Sequence, residues 1–151
     1  MFDSKYQAAD GQWRNTDFNG NFAANALFAK EFQLSKKSML SLGGKVTVVG
    51  GRWYGPPNIE ESNRQKELIV IDSLRNTLQF PNYFRADVKV NYRLNAKRVT
   101  HELGIDLVNV LDTRNVLSLT YAPDESNDPQ KSIRREYQLG RLPLFYYRIA
   151  F

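Results

Sequence analysis

A chain of 151 residues, 42% hydrophobic and 25% charged, has the size of one ordinary domain. The absence of cysteine excludes a disulfide framework and a thiolate metal site, and a single histidine leaves little scope for His-based metal binding. The net charge of +5 is spread along the chain and not gathered into one patch or helix, so nucleic acid is not expected as a partner. No run of about 18 apolar residues could form a transmembrane helix. Aromatics reach 13%, with eight Tyr and nine Phe, a composition suited to β-structure.

The segment Met1 to Tyr6 has no basic stretch followed by an apolar core, so no signal peptide is visible. The expectation is a cytoplasmic chain or a piece of something longer. Gln7 to Asn19 reads as a fairly long loop. From Gly20 to Leu34 the residues alternate: Phe22, Ala24, Ala26, Phe28 and Phe32 fall in one phase, and Asn21, Asn25, Glu31 and Gln33 in the other. Lys30 interrupts the apolar phase. Ser35 to Ser38 is a short polar turn. A second strand is expected from Met39 to Trp53, with Leu40, Leu42, Val46 and Val48 opposing Ser41, Lys45 and Thr47. Gly43-Gly44 and Gly50-Gly51 in it suggest bends or close backbone approach.

Tyr54 to Asn82 is a long connection. Its Leu68-Ile-Val-Ile71 is unusually apolar and reads as a loop-packing cluster in preference to a short strand. The clearest strand runs from Tyr83 to Leu94. Phe84, Ala86, Val88, Val90, Tyr92 and Leu94 share one face, and Arg85, Asp87, Lys89, Asn91 and Arg93 share the other, without exception. Asn95 to Arg98 is a tight turn. Val99 to Leu111 follows, with Leu103, Ile105, Leu107 and Leu111 opposite Glu102 and Asp106. Asp112 to Arg141 is a second long connection. The last strand is built around Phe145, Tyr147, Ile149 and Phe151, which share a face opposite Arg148 and Ala150.

Alternating strand directions put the tight turns at one end of the sheet and the long loops at the other. Outer-membrane barrels have that asymmetry, with short periplasmic turns and longer extracellular loops. A soluble sheet with one face on a core explains the alternation equally well, but the loop asymmetry and the ending less well. The four apolar positions ending in Phe151 resemble the C-terminal signal by which bacterial outer-membrane barrels are recognised for assembly. On this reading Phe84 and Tyr92 lie near opposite rims of a lipid-facing band. Arg85, Asp87, Lys89, Asn91 and Arg93 face the lumen, either contacting a plug or ligand or simply solvating a water-filled interior; the second reading is preferred.

Several short motifs are more specific than the pattern. Asp10-Gly-Gln-Trp-Arg-Asn15 precedes Phe18-Asn-Gly-Asn-Phe22. Gly44-Lys-Val-Thr47, Gly50-Gly-Arg52 and Phe80-Pro-Asn-Tyr-Phe-Arg-Ala-Asp87 follow. Asp106-Leu-Val-Asn-Val110 with Asn115, Tyr137-Gln-Leu-Gly140 and Leu142-Pro-Leu-Phe-Tyr-Tyr-Arg148 complete the series. In this order they resemble the end of a TonB-dependent outer-membrane receptor of the Bacteroidetes type, across nearly the whole chain. The resemblance implies an all-β, antiparallel up-and-down meander, the last five to six strands of a 22-stranded transmembrane β-barrel. Residues 1–151 would be a partial barrel domain, five full strands and a stub of the one before. The plug and the earlier strands are not in this chain. It implies import of a scarce nutrient (iron chelate, cobalamin, glycan or peptide), with the TonB complex engaged through that N-terminal plug. The implied partners are outer-membrane lipid and the barrel assembly machinery, with no cofactor. Five or six strands cannot close with their edges paired, and open edges in hydrocarbon are excluded, so the chain is expected to need the rest of a barrel.

Weaker leads point elsewhere. His101 shares its phase with Leu103 and Ile105, which favours an interfacial place over a ligand role. Gly43-Gly-Lys45 is not a phosphate loop, because Met39 and Val46 stand where Gly and Ser/Thr are required. Glu60-Glu61 and Asp124-Glu125 are adjacent loop carboxylates without a general-base pattern around them. An enzyme is not expected. The alternatives are a soluble antiparallel β-sheet binding module and an outer-membrane hydrolase that would have to build its nucleophile pair on His101.

Overall fold

The computed structural model describes residues 1–123 and 128–151. Its strands, in chain order, are β1 (Lys5–Gln7), β2 (Trp13–Asn15), β3 (Ala23–Ser35), β4 (Ser38–Val49), β5 (Trp53–Tyr54), β6 (Leu78–Gln79), β7 (Tyr83–Asn95), β8 (Thr100–Val108), β9 (Val116–Tyr121), β10 (Ile133–Tyr137) and β11 (Leu142–Ala150). One α-helix, α1 (Ile59–Gln65), and two single turns of 3-10 helix complete the described elements. The protein is all-β with antiparallel sheets. No helix among the described residues is long and apolar enough to cross a membrane.

The chain divides into two compact units. The sheet unit comprises Ala24–Val48, Phe84–Thr113 and Leu139–Phe151. It holds a five-stranded sheet in the order β11-β8-β7-β4-β3. The period-2 patterning does place these five strands, and consecutive ones are neighbours throughout. Ser35 Oγ closes the β3–β4 turn by accepting the Lys37 and Ser38 N–H groups at 3.2 and 3.1 Å. The β7–β8 turn closes through the Ala96 N–H donating to the Val99 carbonyl at 2.9 Å. The two turns are adjacent, since the Asn95 N–H donates to the Lys37 carbonyl at 2.7 Å. Both tight turns therefore lie along one edge of the sheet, and every long connection leaves from the other. Among the described residues the sheet does not close on itself: β3 and β11 each pair on one side only.

Two boundaries differ from the sequence reading. β8 stops at Val108, not Leu111, because Asn109 and Asp112 adopt left-handed backbone with φ of 52° and 55°. A strand cannot continue through that conformation, which Asn and Asp tolerate best. β4 ends at Val49, before the Gly50-Gly51 pair, and Trp53 belongs to a separate short strand.

The loop unit comprises Met1–Ala23, Val49–Tyr83 and Arg114–Gln138. It contains three small antiparallel pairs, β1–β2, β5–β6 and β9–β10. The expected stub of a preceding barrel strand is thus a three-residue strand paired with β2, outside the five-stranded sheet. The long connection after Asp112 is not irregular: β9 and β10 form a hairpin with Ile133 opposite Tyr121. Asn58 caps α1, its Oδ1 accepting the Glu61 N–H at 3.1 Å. Leu68 to Ile71 forms no full strand: Val70 makes an isolated antiparallel bridge with Pro57, and the segment is also tied to the helix. The fully buried Ser62 Oγ accepts the Ile69 N–H at 2.9 Å, and the Asn58 N–H donates to the Ile69 carbonyl at 2.8 Å.

Among the described residues, Phe80 is the only buried hydrophobic side chain, at 8% exposure. The other residues buried to that degree are glycine, serine and asparagine. Soluble domains bury an apolar face between two layers. Here every residue of β3 is exposed.

Candidate functional site

The candidate site is the sheet itself, whose two faces have opposite chemistry. β-Register sets them. Lys89 pairs with Asp106, Asn91 with Gly104 and Arg93 with Glu102 across β7 and β8. Leu144, Tyr146 and Arg148 of β11 oppose Asp106, Gly104 and Glu102 in turn. All five residues expected on the polar face, Arg85, Asp87, Lys89, Asn91 and Arg93, therefore share it with two carboxylates from β8.

These groups neutralise one another. Arg85 pairs with Asp87 at 3.0 Å, Lys89 with Asp106 at 3.3 Å and Arg93 with Glu102 at 3.4 Å. Arg148 reaches the same Glu102 at 3.9 Å. The Tyr146 hydroxyl donates to Asn91 Oδ1 at 2.6 Å and lies 3.2 Å from Glu102 Oε1. Lys89 Nζ sits 5.1 Å from the centre of the Tyr146 ring. Each pair is partly exposed and contributes at most about 1 kcal/mol. Their joint effect is a wettable face on which each cation of β7 has a carboxylate beside it. A hollow of about 320 Å³ opens here, lined by Leu27, Lys45, Asp87, Lys89 and Asp106, where Gly43 presents no side chain.

The opposite face is a continuous apolar band. Val88, Leu107 and Pro143 align in one row across β7, β8 and β11; Val90, Ile105 and Phe145 in the next; then Tyr92, Leu103 and Tyr147; then Leu94, His101 and Ile149. Phe145 is 71% exposed and Leu103 54%. Tyr147 and Ile149 are exposed in the same face, and Phe151 lies just past β11. His101 stands in the last row: its Nδ1 lies 2.7 Å from the Tyr147 hydroxyl and the two rings stack at 6.1 Å. Sequence patterning placed it on this face, and its hydrogen bond is to an aromatic, not to a ligand cluster.

Two glycine–aromatic pairs brace the sheet, one on each face. The Tyr146 ring lies over Gly104, where an added Cβ would come within 2.2 Å of it. The Phe28 ring covers Gly44 in the same way at 2.1 Å, on the apolar face. Aromatic cover of a strand glycine restores the packing that the missing side chain forfeits.

At the edge carrying the long connections, Asn109 is almost fully buried. Its backbone N–H donates to Asp87 Oδ1 at 2.9 Å, its Nδ2 donates to the Thr113 carbonyl at 3.0 Å, and its Oδ1 accepts the Thr113 N–H at 3.0 Å. Asp112 Oδ1 accepts the Arg141 N–H at 2.8 Å. The Asp106-to-Val110 motif thus serves two structural tasks, an ion pair with Lys89 and the turn that ends β8.

Buried amides also hold the loop unit. Asn19, at 0% exposure, donates through Nδ2 to Asp3 Oδ1 at 2.7 Å and Asn15 Oδ1 at 2.8 Å. Its carbonyl accepts the Trp53 Nε1–H at 2.7 Å. Asn76 donates to the Asn15 carbonyl at 2.8 Å and to Asp17 Oδ1 at 2.7 Å. Gly20 and Gly50 meet backbone to backbone, with a Cβ on Gly50 falling 1.6 Å from the Gly20 carbonyl. That is the close approach the glycine pair foreshadowed. Tyr54 and Phe80 stack at 4.1 Å, and the Arg52 guanidinium lies over the Phe18 ring at 5.6 Å.

Glu60 and Glu61 occupy the first turn of α1. The Glu61 carboxyl is held below the ordinary range by Arg64 and Gln65, so it behaves as a structural anion. Asp124 and Glu125 lie outside the described residues. Among the described residues, no three His, Asp or Glu side chains gather as a metal site. No protein-family model, curated protein or solved structure matches the chain.

Proposed function

We propose that this chain is the C-terminal part of the transmembrane barrel of a TonB-dependent outer-membrane receptor, the last five strands of a 22-stranded barrel that imports a scarce nutrient. The observation that carries the reading is the uncovered sheet. Five antiparallel strands expose an apolar face on one side and an ion-paired polar face on the other, with both edge strands paired on one side only. Water cannot cover the first face cheaply, at roughly 25 cal/mol for each Å² of apolar surface left wet. Lipid covers it without cost, and a water-filled lumen suits the second face. Earlier strands of the same barrel pair with the edges of β3 and β11, which satisfies backbone groups that hydrocarbon would not tolerate.

On this reading Arg85, Asp87, Lys89, Asn91 and Arg93 solvate the lumen, and their internal pairing favours solvation over ligand selection. Phe145, Tyr147, Ile149 and Phe151 face lipid and present the strand that the assembly machinery engages. The long connections, stiffened by buried asparagines, lie outside the cell. The TonB complex acts through a plug encoded upstream.

The test is detergent-phase partitioning and fractionation of the protein in its native host. The expected result is recovery in the outer membrane, extracted only by detergent, in a heat-modifiable form. A monodisperse species in detergent-free buffer, with Phe145 and Leu103 protected from solvent, would establish the soluble sheet module instead.

A further inference from the structure

The tight-turn edge of the sheet carries a charge arrangement that the transport reading does not use. Lys36 and Lys37 occupy the β3–β4 turn, and Lys97 and Arg98 the β7–β8 turn. All four are exposed, and none has a hydrogen-bond or ion-pair partner through its side chain among the described residues. The Asn95-to-Lys37 hydrogen bond fixes the two turns side by side. Arg93 and Arg148 stand just inside the same edge, and Glu102 is already shared between them. No other side-chain carboxylate lies in the last four strand residues at this edge. The contrast with the interior of the polar face is sharp: there every cation of β7 has a carboxylate.

The adjoining row of the apolar face is Leu94, His101 and Ile149, with Tyr92 and Tyr147 in the row behind. Four unpaired cations therefore border a rim of tyrosine and histidine beneath a greasy band. Amphipathic rings sit at headgroup level in a bilayer. Clustered Lys and Arg beside a membrane-embedded surface attract anionic lipid. We propose that Lys36, Lys37, Lys97 and Arg98 form a binding site for anionic phospholipid headgroups in the leaflet that meets the tight-turn edge. This rests on the membrane reading above and adds a lipid preference to it. Long flexible cationic stems let each ammonium or guanidinium reach a phosphate while the chain backbone stays at the rim.

The experiment is flotation of the intact barrel that contains these strands, refolded from urea into vesicles of phosphatidylcholine alone or with phosphatidylglycerol. The expected result is association with both, about tenfold stronger on the anionic vesicles at low salt, the increment fading as salt screens it. The variant Lys36→Gln/Lys37→Gln/Lys97→Gln/Arg98→Gln should lose the increment and keep the neutral-vesicle binding. The control Lys66→Gln/Arg75→Gln/Arg114→Gln/Arg135→Gln removes the same charge from exposed positions of the loop unit and should keep both. An increment that survives in the edge variant overturns the site, as does an equal loss in the control, which would make net charge the cause. Flotation with anionic vesicles only, lost in the edge variant, keeps the headgroup site but overturns the membrane-spanning reading. Flotation with neither vesicle overturns both.

Discussion

Tyr146 lies flat over Gly104, its direct partner across β11 and β8, and its hydroxyl donates to Asn91 on the strand beyond. One aromatic side chain thus ties three strands together on the polar face. Gly104→Ala should force the ring aside and break the Asn91 hydrogen bond. The expected cost is about 1–2 kcal/mol in urea titration, a lost hydrogen bond plus a displaced aromatic. Gly104→Ala/Tyr146→Ala should cost less than the sum of its single changes, because the clash exists only while the ring is present. Additive losses would show that the ring and the glycine are independent.

The two faces differ most sharply at Val88 and Lys89, adjacent in sequence. In the intact barrel folded into lipid, Val88→Arg should cost roughly 2–4 kcal/mol, and Lys89→Arg far less. Equal losses in folding titrations would remove the assignment of lipid and lumen.

The Asn109 side chain meets three backbone groups just past β8, the Thr113 N–H, the Thr113 carbonyl and, at 3.4 Å, the Leu139 carbonyl, while its backbone holds a left-handed conformation. Asn109→Ala should cost about 2–4 kcal/mol, from buried groups left unpaired and from backbone strain. Asn109→Asp keeps the acceptor for the Thr113 N–H and should recover part of that loss. Thermal melting of the three proteins side by side gives the ranking.

Acid should loosen the loop unit first. The Asp3 carboxyl is held below the ordinary range chiefly by the Asn19 amide, and Asp10 chiefly by the Gln12 N–H. The folded state therefore favours the charged forms. Their contribution is complete above the ordinary carboxylate pKa of about 4 and is lost as pH falls through the lower folded values. Between about pH 5 and 8 their contribution should be present and constant. Because Trp53 donates to the Asn19 carbonyl, its fluorescence reports the change. Asp3→Asn should flatten part of the acid transition.

Strand patterning made the sheet unit legible. The alternation in Tyr83 to Leu94 defined both faces, and the loop lengths told which edge held the tight turns. The acidic partners of Lys89 and Arg93 were not legible, since pairing with Asp106 and Glu102 depends on register. The β9–β10 hairpin escaped because Ile133 to Tyr137 carries a run of three charges in place of alternation. The asparagine scaffold escaped for another reason: Asn76 reaches Asn15 and Asp17, and Trp53 reaches the Asn19 carbonyl, across separations in sequence that no local period records.

The sheet's connections also impose an order of events. β3 and β4, and β7 and β8, are joined by a few residues each, so either hairpin can close on the scale of microseconds. β11 reaches β8 only after the long connection that carries β9 and β10, and closing that larger loop carries a greater entropic cost. Alone among the five strands, it has no tight-turn partner and pairs only after such a closure. Until Leu142 finds Val108 and Tyr146 settles on Gly104, both edges of β11 stay available. The strand with the most solvent-exposed aromatic face is thus also the one that waits longest for a neighbour, and any partner that captures nascent strands has its widest interval there.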